Sequence, residues 1–136
     1  KITDATPVKT KTKKRIPTWS IRPNLEIGCK VTIRGKKAEE VLKRLLTAKK
    51  GKLAKSKFDR TGNISFGIEE YLSVPGVEYD SAIGIIGLEC AVTLRRKGFR
   101  IARRRIQQKT IPMRHRITPE ESMKFMQQQF NVVVAE

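Results

Sequence analysis

The chain has 136 residues, enough for one domain with a modest core and too few for two comfortable ones. Lys and Arg number 30 against 13 Asp and Glu, a formal charge of +17, and such a charge repels itself in the compact state unless a polyanion neutralises it. The balance points to phosphate backbone; it points away from anionic membrane, because no apolar run reaches about 18 residues and no basic helix carries a broad aromatic face.

Lys1 to Thr10 lack the apolar stretch of a signal peptide, and the chain does not begin with Met. Residues 1–24 show no sustained period and are broken by Pro7, Pro17 and Pro23, which predicts an extended arm or loop with room for one short strand. No acidic residue occurs from Ala5 to Leu25, whereas Lys9, Lys11, Lys13, Lys14, Arg15 and Arg22 do. Trp19 and Thr18 lie inside this basic, Pro-flanked stretch, where a large aromatic is a candidate to stack on a base.

Ile27 to Arg34 alternates. Ile27, Cys29, Val31 and Ile33 share one face, and Gly28, Lys30, Thr32 and Arg34 the other, which predicts a half-buried strand with a small, cationic outer face suited to RNA backbone. Gly35 ends it. A helix over about Lys36 to Lys50 follows, with Ala38, Val41, Leu42, Leu45 and Leu46 as its apolar stripe and Gly51 as its left-handed stop.

Asp59-Arg60-Thr61-Gly62-Asn63 carries turn chemistry and is expected to join a short segment near Lys55 to Phe58 to Ile64 to Ile68 as a hairpin. Pro75-Gly76 marks another turn. Leu88, Cys90, Val92 and Leu94 alternate with Glu89, Ala91, Thr93 and Arg95, a second half-buried strand. Cys29 and Cys90 fit neither a zinc knuckle nor a disulfide framework and read as reduced core residues of a cytosolic protein.

From Cys90 to Pro119 there is again no acid, but there are Arg95, Arg96, Lys97, Arg100, Arg103, Arg104, Arg105, Lys109, Arg114 and Arg116. Ordinary solvated surfaces intersperse both signs, so two long single-sign stretches read as a phosphate-binding footprint. Gly98 to Met113 holds too many guanidiniums for a core, and a projecting segment ordered by its partner is expected. Thr118-Pro119-Glu120-Glu121 is a helix start with a capping box, and Asn131 can end the helix. Met123, Phe125, Met126 and Phe130 are expected to face inward, and Val132 to Val134 to add an edge strand. The whole predicts an α+β fold in two layers, a mainly antiparallel sheet with helices packed on one face, as one domain over 1–136 with a basic anchoring segment over 95–116.

Catalytic constellations are not found. The lone His115 sits between Arg114 and Arg116, a poor setting for a general acid, and reads better as a backbone or phosphate contact. There is no nucleophile elbow, no phosphate-cradling Gly-Lys loop and no metal-ligand spacing, so neither an enzyme nor a cofactor is expected. A DNA-compacting chromatin protein is the alternative that charge alone leaves open.

The order of motifs resembles a known family. Thr10-Lys11-Thr12-Lys13-Lys14 running to Ile21-Arg22, Ile27-Gly28-Cys29-Lys30-Val31-Thr32-Ile33-Arg34-Gly35, Phe58-Asp59 with Gly62-Asn63 and Ser65-Phe66-Gly67-Ile68, and Pro75-Gly76-Val77-Glu78-Tyr79-Asp80 are similar to the large-subunit ribosomal protein five family. Ile83-Gly84-Ile85, Lys97-Gly98-Phe99 and His115-Arg116-Ile117-Thr118 resemble its archaeal and eukaryotic branch, and Ser73 to Asp80 leans archaeal. Family members usually begin with a further strand and helix not found in this chain, and often carry Gly-Gln-Lys-Pro where Asp4-Ala5-Thr6-Pro7 stands here.

The resemblance implies a cytoplasmic protein of the ribosome's large subunit, in the central protuberance. Its implied partners are 5S rRNA, 23S-type rRNA, peptidyl-site tRNA, neighbouring large-subunit proteins and a small-subunit head protein across an intersubunit bridge. Lys9, Lys11, Lys30, Thr32, Arg34, Asn63 and Ser65 correspond to 5S-contacting positions. Lys13, Lys14, Arg15, Thr18, Trp19 and Arg22 correspond to a tRNA-facing loop. Arg95, Arg96, Arg100, Arg103, Arg104, Arg105, Lys109, Arg114, His115 and Arg116 are expected to anchor surrounding rRNA.

Overall fold

The computed structural model describes residues 2–135; Lys1, the first residue of the expected arm, lies outside them. The class is α+β. Two helices, α1 (Lys36–Ala48) and α2 (Pro119–Phe130), accompany six short strands: β1 (Val8–Lys11), β2 (Glu26–Lys30), β3 (Lys52–Ala54), β4 (Ile64–Ile68), β5 (Leu88–Val92) and β6 (Val133–Ala135). The strands pair two by two: β1 with β2 and β4 with β5 antiparallel, β3 with β6 parallel. The chain divides into two compact units, residues 1–42 and 43–136, and α1 runs through the division. Among the described residues no helix is long and apolar enough to cross a membrane.

In the first unit β1 and β2 form a long hairpin. The register sets Val8 opposite Lys30, Lys9 opposite Cys29 and Thr10 opposite Gly28, then shifts so that Lys11 faces Glu26. The half-buried strand expected over Ile27 to Arg34 is shorter, ending at Lys30, and it is exposed throughout: Ile27 is 59% accessible and Cys29 is exposed. Alternation identifies the side chains that share a face but not whether anything covers that face, so Cys29 is not the core residue expected. Thr32 and Arg34 lie beyond the ladder.

In α1 the expected stripe is realised, with Val41, Leu42, Leu45 and Leu46 buried. The helix stops in a Schellman arrangement: the Gly51 N–H donates to the Leu46 carbonyl and the Lys50 N–H to that of Thr47. Lys50 (φ 57°) shares the left-handed turn with Gly51.

The second unit holds most of the buried side chains. On β4, Ile64, Phe66 and Ile68 point inward while Ser65 and Gly67 face out, as period two requires. Its partner is β5 and not the Lys55 to Phe58 segment, which forms a 3-10 turn and touches β4 through the single Phe58–Ile64 bridge. Cys90, opposite Phe66, is partly buried, and burial pushes its thiol pKa up.

Helix α2 starts as its sequence dictates. The Glu121 N–H donates to Thr118 Oγ1 (3.3 Å), the Thr118 N–H returns a bond to Glu121 Oε2 (3.3 Å), and Asn131 closes the helix at φ 52°. Its inner face differs from expectation at two places: Phe125 is 42% exposed, whereas Ser122 is fully buried and donates to the Gly62 carbonyl (2.9 Å). Met126 is fully buried, as expected.

Candidate nucleic-acid interface

The hairpin tip is built locally. The Thr12 N–H donates to the Leu25 carbonyl and the Asn24 N–H to that of Thr12; beyond them Ile16 and Ile21 bridge, and Pro17–Trp19 make one 3-10 turn closed by Ser20 at φ 53°. This leaves Lys13, Lys14, Arg15, Thr18, Trp19 and Arg22 all exposed, with Trp19 73% accessible. A tryptophan so placed contributes little to a core and offers a whole ring face to a stacking partner.

Lower on the hairpin the expected RNA face is split. Lys9 shares a face with Cys29, whereas Lys30 shares the opposite one with Val8. Lys9 is also engaged, its Nζ lying 2.6 Å from Glu26 Oε2. The register shift that brings Glu26 opposite Lys11 places the carboxylate on the side of Lys9.

In the second unit the Asp59–Asn63 turn is self-contained. The Asp59 carboxylate accepts from the Arg60 N–H (2.6 Å), the Thr61 hydroxyl (2.7 Å) and the Asn63 amide (3.3 Å). These bonds, that of Thr61 foremost, hold the Asp59 pKa below its ordinary value. Asn63 spends its other contact on Thr61 Oγ1 (2.9 Å), so this side chain shapes the turn, while Ser65 stands exposed on β4.

The basic segment after β5 carries bonds of its own. The Lys109 N–H donates to the Ile101 carbonyl, Gln108 Nε2 to that of Ala102 (2.6 Å) and Arg104 Nε to that of Gln107 (2.9 Å), and Ile111 is buried. Arg95, Arg96, Arg100, Arg103, Arg105, Lys109 and Arg114 remain exposed; Arg104, His115 and Arg116 are half-buried. Arg96 Nη2 donates to Glu121 Oε1 (2.6 Å), and the Glu121 pKa is lowered by the Thr118 N–H first and by Arg96 next. Of the two readings of His115, its Nε2 takes the backbone contact, 2.7 Å from the Lys97 carbonyl.

Sequence reading missed two things. Glu26 and Glu121 pre-engage two of the named cations, through partners that sequence spacing does not reveal. A third acid-free stretch, Val41 to Phe58, was legible, and Lys43, Lys50, Lys52, Lys55 and Lys57 on it are exposed. Among the described residues the only ion pairs are Lys9–Glu26 and Arg96–Glu121, so the remaining cations are left for an external polyanion, and no group of His, Cys, Asp and Glu could hold a metal.

Exposed cations in three separate acid-free stretches, on a small α+β scaffold, define a nucleic-acid-binding protein. Residues 26–133 match the model of the C-terminal part of the ribosomal uL5 family. Similar chains include the large ribosomal subunit protein uL5 of Sulfurisphaera tokodaii, 48% identical over 99% of this chain and 77% of the relative. That of Methanobrevibacter smithii is 46% identical over 95% and 76%, and that of Nanoarchaeum equitans 47% identical over 98% and 79%. The chain belongs to the ribosomal uL5 family, in its archaeal branch; it is a structural ribosomal protein and not an enzyme.

Proposed function

We propose that the chain is a structural constituent of the large subunit of the cytoplasmic ribosome, where it holds 5S rRNA against 23S-type rRNA in the central protuberance. Residues 1–136 serve as one rRNA-binding module. Segment 95–116 anchors surrounding rRNA, and the hairpin with the β4 side chain of Ser65 contributes 5S contacts. The hairpin tip, Lys13 to Arg22, reaches peptidyl-site tRNA, and neighbouring large-subunit proteins and a small-subunit head protein complete the set of partners. The observation that carries this reading is the exposure of the cations and of Trp19 at the hairpin tip, together with the ten basic side chains of the acid-free stretch from Cys90 to Pro119.

Recognition is by phosphate and shape. If about eight cations displace counterions, affinity for 5S rRNA falls by roughly three to five orders of magnitude between about 50 and 200 mM salt. Filter binding across that range, with duplex DNA of equal length as competitor, tests it. A slope near zero refutes the phosphate mechanism, and equal preference for duplex DNA favours a DNA-compacting role.

A further inference from the structure

The segment after β5 encloses a concavity of about 430 Å³. Its lining has one sign: Arg95, Arg96, Lys97, Arg100 and Arg103 supply cations, Phe99 supplies an apolar wall, and no carboxylate lines it. A surface merely rich in lysine and arginine does not make a hollow of this kind.

The hollow is held in place by contacts from the stretch that precedes and opens α2. Arg96 is tied to Glu121 (2.6 Å). The Arg95 guanidinium carbon lies 6.0 Å from the Phe99 ring centroid, a cation–π distance, and that ring lies 5.8 Å from the His115 ring. His115 Nε2, 2.7 Å from the Lys97 carbonyl, must carry its hydrogen to make that contact, which fixes the tautomer. Gly98 turns at φ 100° beneath the imidazole, where an added Cβ would meet Nε2 at 3.3 Å. Side chains fixed before binding lose less freedom on binding.

Shape then selects among polyanions. A regular duplex carries its phosphates on a convex surface, one charge per roughly 1.7 Å of axis, and presents them to a hollow singly. Where a backbone folds sharply, or ends in a polyphosphate, several phosphates enter together and meet the converging guanidiniums with charge-assisted bonds. Resting on the RNA-binding reading of this segment, we propose that the concavity is a phosphate-cluster site, taking two or more closely spaced phosphates of RNA in preference to duplex backbone.

Isothermal titration of the full chain with inorganic tripolyphosphate tests it. We expect one saturable site, weakened about tenfold or more by Arg100→Gln with Arg103→Gln, since each lost charge-assisted bond is worth about a tenfold change. Both side chains are exposed, so the fold survives their replacement. Lys13→Gln with Arg15→Gln removes the same charge from the hairpin and leaves this binding within about twofold. Equal weakening by both pairs, or no saturable site, overturns the proposal.

Competition by one RNA hairpin in three forms identifies the source of the phosphates: 5′-triphosphate, 5′-hydroxyl, and 5′-hydroxyl with a kinking bulge. Whichever modified form displaces tripolyphosphate better than the plain 5′-hydroxyl form is the source, and no advantage for either overturns the site. A chain that binds tripolyphosphate but not 5S rRNA overturns the ribosomal reading alone. One that binds 5S rRNA, undiminished by the Arg100 and Arg103 replacements, and takes no tripolyphosphate overturns the site alone.

Discussion

Replacing Gly62 by Ala tests how the Asp59–Asn63 turn is held against the start of α2. Gly62 adopts φ +72°, a left-handed conformation that costs a residue with a Cβ about 1–2 kcal/mol. The new methyl would also stand 2.8 Å from Ile117 Cγ2 and 3.1 Å from the Ile117 carbonyl oxygen, inside contact distance on both sides. Crowding of this sort costs about 1–3 kcal/mol, so the total loss is about 2–5 kcal/mol, much of the margin of a small domain. Gly76→Ala is the control: its φ is +80°, nothing lies within 4 Å of the added carbon, and only the conformational cost remains. Urea unfolding should be followed by hydrogen exchange at Ile64 to Ile68, in the unit that contains the turn, because Trp19 is exposed on the hairpin and its fluorescence does not report this core. The difference between the variants, about 1–3 kcal/mol, isolates the close approach. If Gly62→Ala costs no more than Gly76→Ala, the packing of the turn against Ile117 is refuted.

Two further outcomes are expected. Asp59 and Glu121 both have folded pKa values below their ordinary ones of 3.8 and 4.5, so each contributes stability above that value and loses it as pH falls through the folded one. Acid titration of unfolding should therefore be flat from neutrality to about pH 4.5 and decline below it, and Glu121→Gln should flatten that decline; an unchanged acid limb would remove the Glu121 cap from the account. Trp19→Ala should leave stability within about 0.5 kcal/mol while weakening tRNA binding by about one stacking interaction, tenfold or more. A large loss of stability would mean that the indole is a packing residue.

What could be read in advance was what local chemistry settles. Thr118, Pro119, Glu121 and Asn131 each act within one turn of α2, so both its ends followed from sequence. The alternation of Ile64, Phe66 and Ile68 likewise gave the inner face of β4. Choice of partner did not follow, because β4 pairs with β5 across a long intervening segment and nothing within β4 names that strand. Ser122 was misread for a related reason: a hydroxyl goes inside only if an acceptor waits, and the acceptor is the Gly62 carbonyl, contributed by a distant turn. Period two in Ile27 to Ile33 was real, but coverage is a property of neighbours, and β2 is exposed.

Both ion pairs join a cation of an acid-free stretch to a glutamate just beyond the stretch's end: Lys9 to Glu26, one residue past Leu25, and Arg96 to Glu121, two past Pro119. Exposed pairs of this kind add little stability, because water screens them. Their effect is on geometry, since each carboxylate limits where a long side chain can point. Two such pairs against 30 Lys and Arg leave the charge almost undiminished. Acids interspersed among the cations would have neutralised the surface that polyphosphate needs. Placed at the ends of the stretches, they orient one cation each and leave the rest to the partner, so the absence of acid within the stretches and its presence at their borders serve the same binding surface.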